Sequence, residues 1–167
     1  MRSDRNDMSR SIGNAIPARL APLFDGRDLR NNIGLTFLLL TAGEDGWPYV
    51  AMLSVGEVMA STDREVRLAL WHGSTSTNNL TRTGQATLML VHGAGSYYLR
   101  LAARRGPDLM VQRVPYAFFV TTVEDIQEDL VSYADLTTGI SFTLKEPEEV
   151  VARWQATVDA IRDAPPP

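Results

Sequence analysis

The residues best suited to bind a ligand lie in one loop, which reads His72-Gly73-Ser74-Thr75-Ser76-Thr77-Asn78-Asn79. Hydroxyl and amide side chains can cap the free N–H groups at the start of a helix, and the same N–H groups can instead hold an anion. An apolar strand-like run precedes the loop, Val66 to Trp71, and a helical turn ending at Gly84 and a second run, Ala86 to Val91, follow it. The pattern suits a phosphate site, and helix capping alone also explains its composition.

Few other residues have types and spacing that suggest chemistry. His72 lies in the polar loop, where an imidazole can transfer protons near neutral pH, and His92 beside Gly93 is typical of a turn. The chain has no cysteine, which excludes disulfides, thiolate catalysis and cysteine metal sites. No histidine metal motif, Ser/His/Asp set or nucleotide-binding glycine motif stands out. The sequence therefore assigns no catalytic residue and no metal site.

Length and composition indicate one globular domain. The 167 residues are 44% hydrophobic and 22% charged, enough for a sizeable core. The formal charge of -4 gives no electrostatic reason to expect nucleic-acid binding. No apolar run approaches the roughly 20 residues of a membrane span, and the first 14 residues lack the apolar core of a signal peptide. We expect a soluble, cytoplasmic protein with a flexible tail over residues 1–14 and one domain over residues 15–164.

Alternating and continuous apolar runs predict the strands. The predicted strands are Leu35–Thr41, Tyr49–Val55 continuing through Met59, Val66–Trp71, Ala86–Val91, Tyr97–Arg104, Tyr116–Val123 and Ile140–Leu144. The Asp-Gly pair in Glu44–Pro48 predicts a hairpin between the first two. The stretch Glu124–Val131 is ambiguous between a longer strand and an acidic helix, and its acids are typical of a solvated face.

A helix is predicted near each end of the chain. Pro17 opens the first, which Gly26 ends, and Pro147 opens the second. Val151, Trp154, Val158 and Ile161 recur at helical spacing in the second, so they must pack on something. Few helical segments separate the strands, which disfavours a parallel sheet. The fold class is therefore mainly β (α+β), with six to seven antiparallel strands in a closed or nearly closed barrel and helices flanking it at the two termini.

The order of elements resembles the pyridoxamine 5'-phosphate oxidase-like FMN-binding split-barrel family. The segments that carry the resemblance are Gly46-Trp47-Pro48-Tyr49-Val50-Ala51-Met52-Leu53-Ser54 and Gly73 to Leu80 followed by Gly84-Gln85-Ala86-Thr87-Leu88. The match spans roughly Ile16 to Ile161. It implies a split barrel, a homodimer, and FMN at the subunit interface.

The resemblance also implies which residues contact the cofactor. The flavin ring would lie beside Ala51, Met52 and Leu53. The ribityl chain would lie over Ala69, Leu70 and Trp71. The phosphate would lie near Ser74, Thr75, Ser76 and Asn79.

The chain departs from the family pattern at the phosphate. Related sequences commonly have Ser-Arg-Lys or Ser-x-Lys where this chain has Ser74-Thr75-Ser76, and a basic residue near Tyr49 or Val50, where this chain has none. Hydrogen bonds between charged groups are roughly twice as strong as neutral ones, so this departure predicts weakened FMN binding. Arg82, or Arg100 of a second subunit, is the candidate for the missing charge.

The resemblance implies an FMN-dependent oxidoreductase acting on a small substrate. Flavin enzymes need few catalytic side chains, because the cofactor supplies the chemistry. The alternatives are a relative that has lost flavin and serves as a small-ligand binding or regulatory protein, or a relative that holds a deazaflavin or haem in the same cleft. Pyridoxamine phosphate oxidation itself is disfavoured, because its phosphorylated substrate also needs basic partners.

Overall fold

The computed structural model describes residues 9–167, which form one antiparallel sheet flanked by three helices. The strands are β1 (Arg10–Ser11), β2 (Phe37–Ala42), β3 (Pro48–Leu53), β4 (Val58–Thr62), β5 (Glu65–Trp71), β6 (Gln85–His92), β7 (Gly95–Arg105), β8 (Leu109–Val111) and β9 (Val114–Asp129). The helices are α1 (Ala21–Phe24), α2 (Thr75–Thr83) and α3 (Pro147–Asp163).

Seven strands make up the main path of the sheet, in the order β3-β2-β6-β7-β9-β5-β4, with the short β1 and β8 paired to β9. This arrangement confirms the predicted antiparallel barrel of six to seven strands with terminal helices. Val66, Leu68 and Leu70 are buried on β5, as their period-two spacing predicted. The barrel therefore has one continuous apolar core, to which α1, β2, β5, β7, β9 and α3 contribute.

The longest strand, β9, joins the two halves of the sheet because it pairs with β7 on one side and β5 on the other. It continues through Asp129, so the ambiguous acidic stretch is mostly strand. Ile126 and Glu128 are buried and alternate with the exposed Glu124 and the partly buried Asp125, as a strand requires. Glu128 is therefore not part of a solvated face: it accepts hydrogen bonds from Arg10 at 2.7 Å and Arg19 at 2.6 Å.

Three sequence predictions need correction. The segment 140–144 is not a strand, because it lies irregularly against the start of α3 and pairs with no other strand among the described residues. The second predicted strand does not run to Met59: it breaks at a turn over residues 54–57 and resumes as β4. Arg10 and Ser11, in the predicted tail, pair with Glu128 and Gln127. Residues 1–8 of that tail lie outside the described part of the chain.

The C-terminal helix α3 confirms its predicted pattern. Pro147 occupies its first turn, and Trp154, Val158 and Ile161 are buried against the barrel. This packing brings residues 150–157 of α3 close to the ends of β3 and β5. No helix in residues 9–167 is long and apolar enough to cross a membrane.

Candidate functional site

A cavity of about 540 Å³ lies between the ends of β3 and β5 and helix α3. We call it the aromatic cavity. Its apolar walls include Met52, Leu53, Trp71, Tyr116, Phe142 and Trp154. A few polar groups also line it, among them Glu57 and Arg153. Apolar pockets with a small number of converging polar groups are the usual form of small-molecule sites.

The turn between β3 and β4 shapes one wall of the aromatic cavity. The Glu57 carboxylate accepts hydrogen bonds from the Ser54 backbone N–H at 2.7 Å and from the Ser54 hydroxyl at 2.8 Å. Removal from water raises the pKa of Glu57, and the Ser54 hydrogen bonds and the charge of Arg153 offset part of that effect. Gly56, in the same turn, lies directly against Trp154, so the turn and α3 approach each other closely.

A second cavity, of about 500 Å³, opens at the start of α2, where the sequence predicted a phosphate site. We call it the α2 cleft. Thr75, Asn78 and Asn79 line it from the helix. Its opposite wall is the β2–β3 hairpin, which contributes Glu44 and Asp45. The cleft therefore offers hydroxyl and amide groups to a ligand but also presents two acids.

The side chains predicted to hold phosphate have different surroundings. The Ser74 side chain caps α2, because it accepts a hydrogen bond from the Thr77 backbone N–H at 3.2 Å. Thr75 is exposed in the α2 cleft, and Asn79 donates to the Thr41 hydroxyl at 3.2 Å. The buried Ser76 hydroxyl has no hydrogen-bond partner in the described protein. Helix capping therefore explains why a serine stands at position 74, but it does not explain the buried hydroxyl of Ser76.

Neither candidate cation faces the α2 cleft with a free charge. Arg82 donates to the carbonyl oxygen of Ala42, and its Nε lies 4.0 Å from a carboxylate oxygen of Glu44. Arg100 is exposed on β7, where it lines a different cavity together with Thr87 and other residues of the sheet. The role of Arg100 across a subunit interface stays a prediction.

The residues predicted to contact the flavin ring and ribityl chain divide into buried and exposed groups. Leu53, Ala69 and Leu70 are buried in the core, and Ala51 is half-buried. Met52 is 66% exposed and Trp71 is 52% exposed, and both lie at the rim of the aromatic cavity. The Trp71 ring packs against Tyr116 with 5.3 Å between ring centroids. Met52 and Trp71 are therefore the side chains of this set that remain available to a ligand.

Several residues around the aromatic cavity were not found from the sequence. Glu57 and Arg153 converge on it from the β3–β4 turn and from α3, which are far apart in the chain. Phe142 contacts Trp154 edge-on, at 6.3 Å between centroids, from the segment predicted to be a strand. One sequence signal for Arg153 was available: it directly precedes Trp154, which the helical spacing places on the packed face of α3.

His72 is held beside an acid. Its Nε2 lies 3.0 Å from a carboxylate oxygen of Asp108, which also accepts a hydrogen bond from Arg105 at 2.8 Å. The contact orients the imidazole at the end of β5, next to Trp71. His72 does not line the aromatic cavity, so the geometry gives it no contact with a ligand there.

Solved structures show which fold the chain has. A variant of HupZ from Group A Streptococcus superposes with a TM-score of 0.53 at 15% identity, covering 68% of this chain and 98% of that one. A candidate pyridoxamine 5'-phosphate oxidase from Lactobacillus delbrueckii superposes with a TM-score of 0.51 at 16% identity, covering 70% and 98%. The fold is thus that of the pyridoxamine 5'-phosphate oxidase-like split barrels, which confirms the resemblance seen in the sequence.

One curated relative has substantial sequence identity. The uncharacterized protein YclD of Bacillus subtilis (strain 168) is 35% identical over 149 residues, which cover 89% of this chain and 97% of YclD. The chain therefore belongs to the same split-barrel family as YclD. No family model matches the chain.

Proposed function

We propose that this protein binds a flavin of the FMN type and acts as an oxidoreductase on a small molecule. The observation that carries the proposal is the position of β3 between the two cavities. Tyr49 lines the α2 cleft at one end of the strand, and Leu53 lines the aromatic cavity at the other. The two residues are four positions apart, so they share a face of the strand and span roughly 13 Å along it. A cofactor with a planar ring and an anionic tail suits this arrangement.

The residues fit the two ends of a flavin unequally. The exposed side chains of Met52 and Trp71 suit an aromatic ring. At the other end, Thr75, Asn78 and the start of α2 suit a phosphate through neutral donors and the helix dipole. The acids of the α2 cleft oppose a dianion, so the ring is expected to supply most of the affinity.

A bound flavin would supply two-electron transfer to or from a substrate. The protein's own contribution is then to hold the ring at β3 and to exclude water from the aromatic cavity. Trp71 is fixed for this role by its contact with the buried ring of Tyr116. Burial raises the pKa of Tyr116, so the phenol stays protonated at neutral pH.

We also propose that the functional unit is a homodimer. Met52 pairs with Leu38 across β3 and β2, and Leu38 pairs with Met89 of β6, so three apolar side chains lie in one row. Leu38 and Met89 are only partly buried, which leaves the row open to solvent in one subunit. A second copy of the chain would cover it. The measurement is the molar mass by light scattering, and Met89→Glu is expected to convert the dimer to monomer.

The experiment for flavin binding is a titration of the purified protein with FMN, read by flavin fluorescence and by thermal shift. We expect saturable binding with one flavin per subunit. Glu44→Gln is expected to raise the affinity, because it removes a negative charge from the α2 cleft and releases Arg82. Arg82→Ala is expected to lower it, and unchanged affinity in that variant would exclude Arg82 from the site.

Riboflavin, which lacks the phosphate, separates the two ends of the site. Because the ring is expected to dominate, riboflavin should bind within about tenfold of FMN, a difference of about 1.4 kcal/mol. Absence of binding by both flavins at high micromolar concentration would contradict the proposal. It would favour a protein of this fold that binds a different small ligand.

A further inference from the structure

The side chain of Arg153 lies in the wall of the aromatic cavity. Its side chain makes no ion pair or hydrogen bond with any residue in the described range 9–167. The residue is only partly exposed, and its neighbours in the wall include Trp154 and Phe142. An arginine is charged at any physiological pH, and a charge next to apolar walls is costly unless an anion pairs with it.

Glu57 does not fill that role. The Glu57 carboxylate and the Arg153 guanidinium act on each other electrostatically, but no ion pair within 4.0 Å joins them among the described residues. One oxygen of the Glu57 carboxylate is already held by two donors of Ser54, at 2.7 and 2.8 Å. Arg153 therefore keeps its donors free for a ligand in the cavity.

The remaining walls indicate the shape of that ligand. Trp71, Tyr116, Phe142 and Trp154 surround the space with aromatic rings. Aromatic rings favour planar partners through offset or edge-on contacts. The cavity volume of about 540 Å³ accommodates a molecule of two or three fused rings.

We propose that the aromatic cavity binds a planar aromatic monocarboxylate, with its rings among Trp71, Phe142 and Trp154 and its carboxylate paired with Arg153. A guanidinium matches a carboxylate in a two-point, charge-assisted contact. The nearby Glu57 disfavours ligands of higher negative charge, such as a phosphate dianion. The proposed flavin ring also contacts Trp71 at this cavity, so the proposal is tested on the protein without flavin.

The test uses 2-naphthoate and its uncharged analogue 2-naphthamide as probes, titrated by calorimetry into the full-length protein without added flavin. We expect saturable 2-naphthoate binding with a Kd on the order of 1 mM or tighter. The amide should bind about tenfold to a hundredfold more weakly, because it forms no charge-assisted pair. Equal binding of the two probes, or no binding of either, would overturn the proposal. This comparison needs no variant.

Variants of the protein then test whether the carboxylate of 2-naphthoate pairs with Arg153. Arg153→Gln should weaken 2-naphthoate binding by about tenfold or more and leave 2-naphthamide unchanged. Arg162→Gln is the matched control, since Arg162 lies on the same helix, outside the cavity, and pairs with Asp159. If Arg153→Gln does not fold, Arg153→Lys keeps the charge but loses the two-point geometry and should show a smaller loss in the same direction. An equal loss in the Arg162 variant would refute the assignment.

The three tryptophans report where the probe binds. Trp71 and Trp154 line the aromatic cavity, whereas Trp47 lies in the α2 cleft and is 75% exposed. The indole N–H resonances of Trp71 and Trp154 should shift on addition of 2-naphthoate, and that of Trp47 should not. A shift of Trp47 alone would place the ligand elsewhere and overturn the proposal. FMN binding is measured separately by flavin fluorescence, so failure of the flavin proposal cannot be confused with failure of this one.

Discussion

Replacement of Gly56 by alanine tests the contact that closes the aromatic cavity. A Cβ atom on Gly56 would overlap Cγ and Cδ1 of Trp154 and would lie 2.5 Å from its Cβ. Carbon atoms in contact are ordinarily about 3.5 to 4.0 Å apart, so the two groups must separate by about 1 Å. A new rotamer of Trp154 cannot provide that separation, because the Cβ atom is fixed to the helix backbone. Helix α3 itself must therefore move.

The cost of that movement follows from what α3 buries. Trp154, Val158 and Ile161 are almost fully buried, and a gap of 0.5–1 Å forfeits about a quarter to a half of each contact's attraction. Overpacking typically costs about 1 to 3 kcal/mol, and we expect Gly56→Ala to lie near about 3 kcal/mol. With a urea dependence of about 2 kcal/mol per M, the unfolding midpoint should fall by about 1.5 M.

The control for Gly56→Ala is Gly139→Ala. Added at Gly139, a Cβ would meet only the side chain of Val91, at 3.2 and 3.3 Å, which a shift of a few tenths of an ångström relieves. Its cost in urea unfolding should stay below about 1 kcal/mol. A Gly56→Ala variant as stable as the wild type would refute the close packing of α3 on the β3–β4 turn, and with it the position of Arg153.

Three further predictions concern stability. Loss of water contact raises the pKa of Glu57, so the folded protein holds this proton to higher pH than the unfolded chain does, and stability falls as the pH rises above about 4.5. In urea unfolding measured across pH, the Glu57→Gln variant should lack that fall and should become more stable than the wild type at higher pH. Hydrogen bonds from Arg10 and then from Arg19 lower the pKa of Glu128, against the opposing effect of burial. The stabilisation that Glu128 provides is therefore present above about pH 4.5 and is lost as the pH falls through its pKa in the folded protein. Glu128→Gln should cost about 1.5 to 3 kcal/mol at neutral pH, and equal stability of variant and wild type there would count against this network. Gly84→Ala should cost about 1 kcal/mol in thermal unfolding, because Gly84 ends α2 with a φ of 66° that favours glycine.

Much of the fold could be predicted because its signals are local. The hairpin between β2 and β3 follows from Asp45-Gly46, and Gly46 has a φ of 81°, as the turn requires. The end of α2 at Gly84 and the start of α3 at Pro147 follow from single residues in the same way. The segment 140–144 misled because Ile140, Phe142 and Leu144 alternate with polar residues in the sequence. In the structure Phe142 and Leu144 pack against the core, but Ile140 is exposed and the segment pairs with no strand among the described residues.

The candidate site could be predicted only in part, because its cavities are tertiary. The polar loop before α2 was recognisable from composition, and the structure adds that the hairpin brings Glu44 and Asp45 to the opposite wall. The residues that meet there are about 30 positions apart in the chain, so no local sequence pattern predicts their contact. The aromatic cavity is hidden from sequence for the same reason, since Glu57, Tyr116 and Arg153 meet there from three separate elements.

The distribution of charge between the two cavities bears on what the protein selects. Arg82 contacts Ala42 and Glu44 and does not line the α2 cleft, so an anionic group there meets neutral donors and two acids. In the aromatic cavity, Arg153 has no ion-pair or hydrogen-bond partner among residues 9–167, and the walls are mostly apolar. In the proposed flavin complex, a ligand with one negative charge would therefore bind more favourably beside the flavin ring than at the phosphate end. A phosphorylated substrate would need a second cation, and none lines the aromatic cavity within the part of the chain that the structure describes. We therefore expect substrates that carry a single carboxylate.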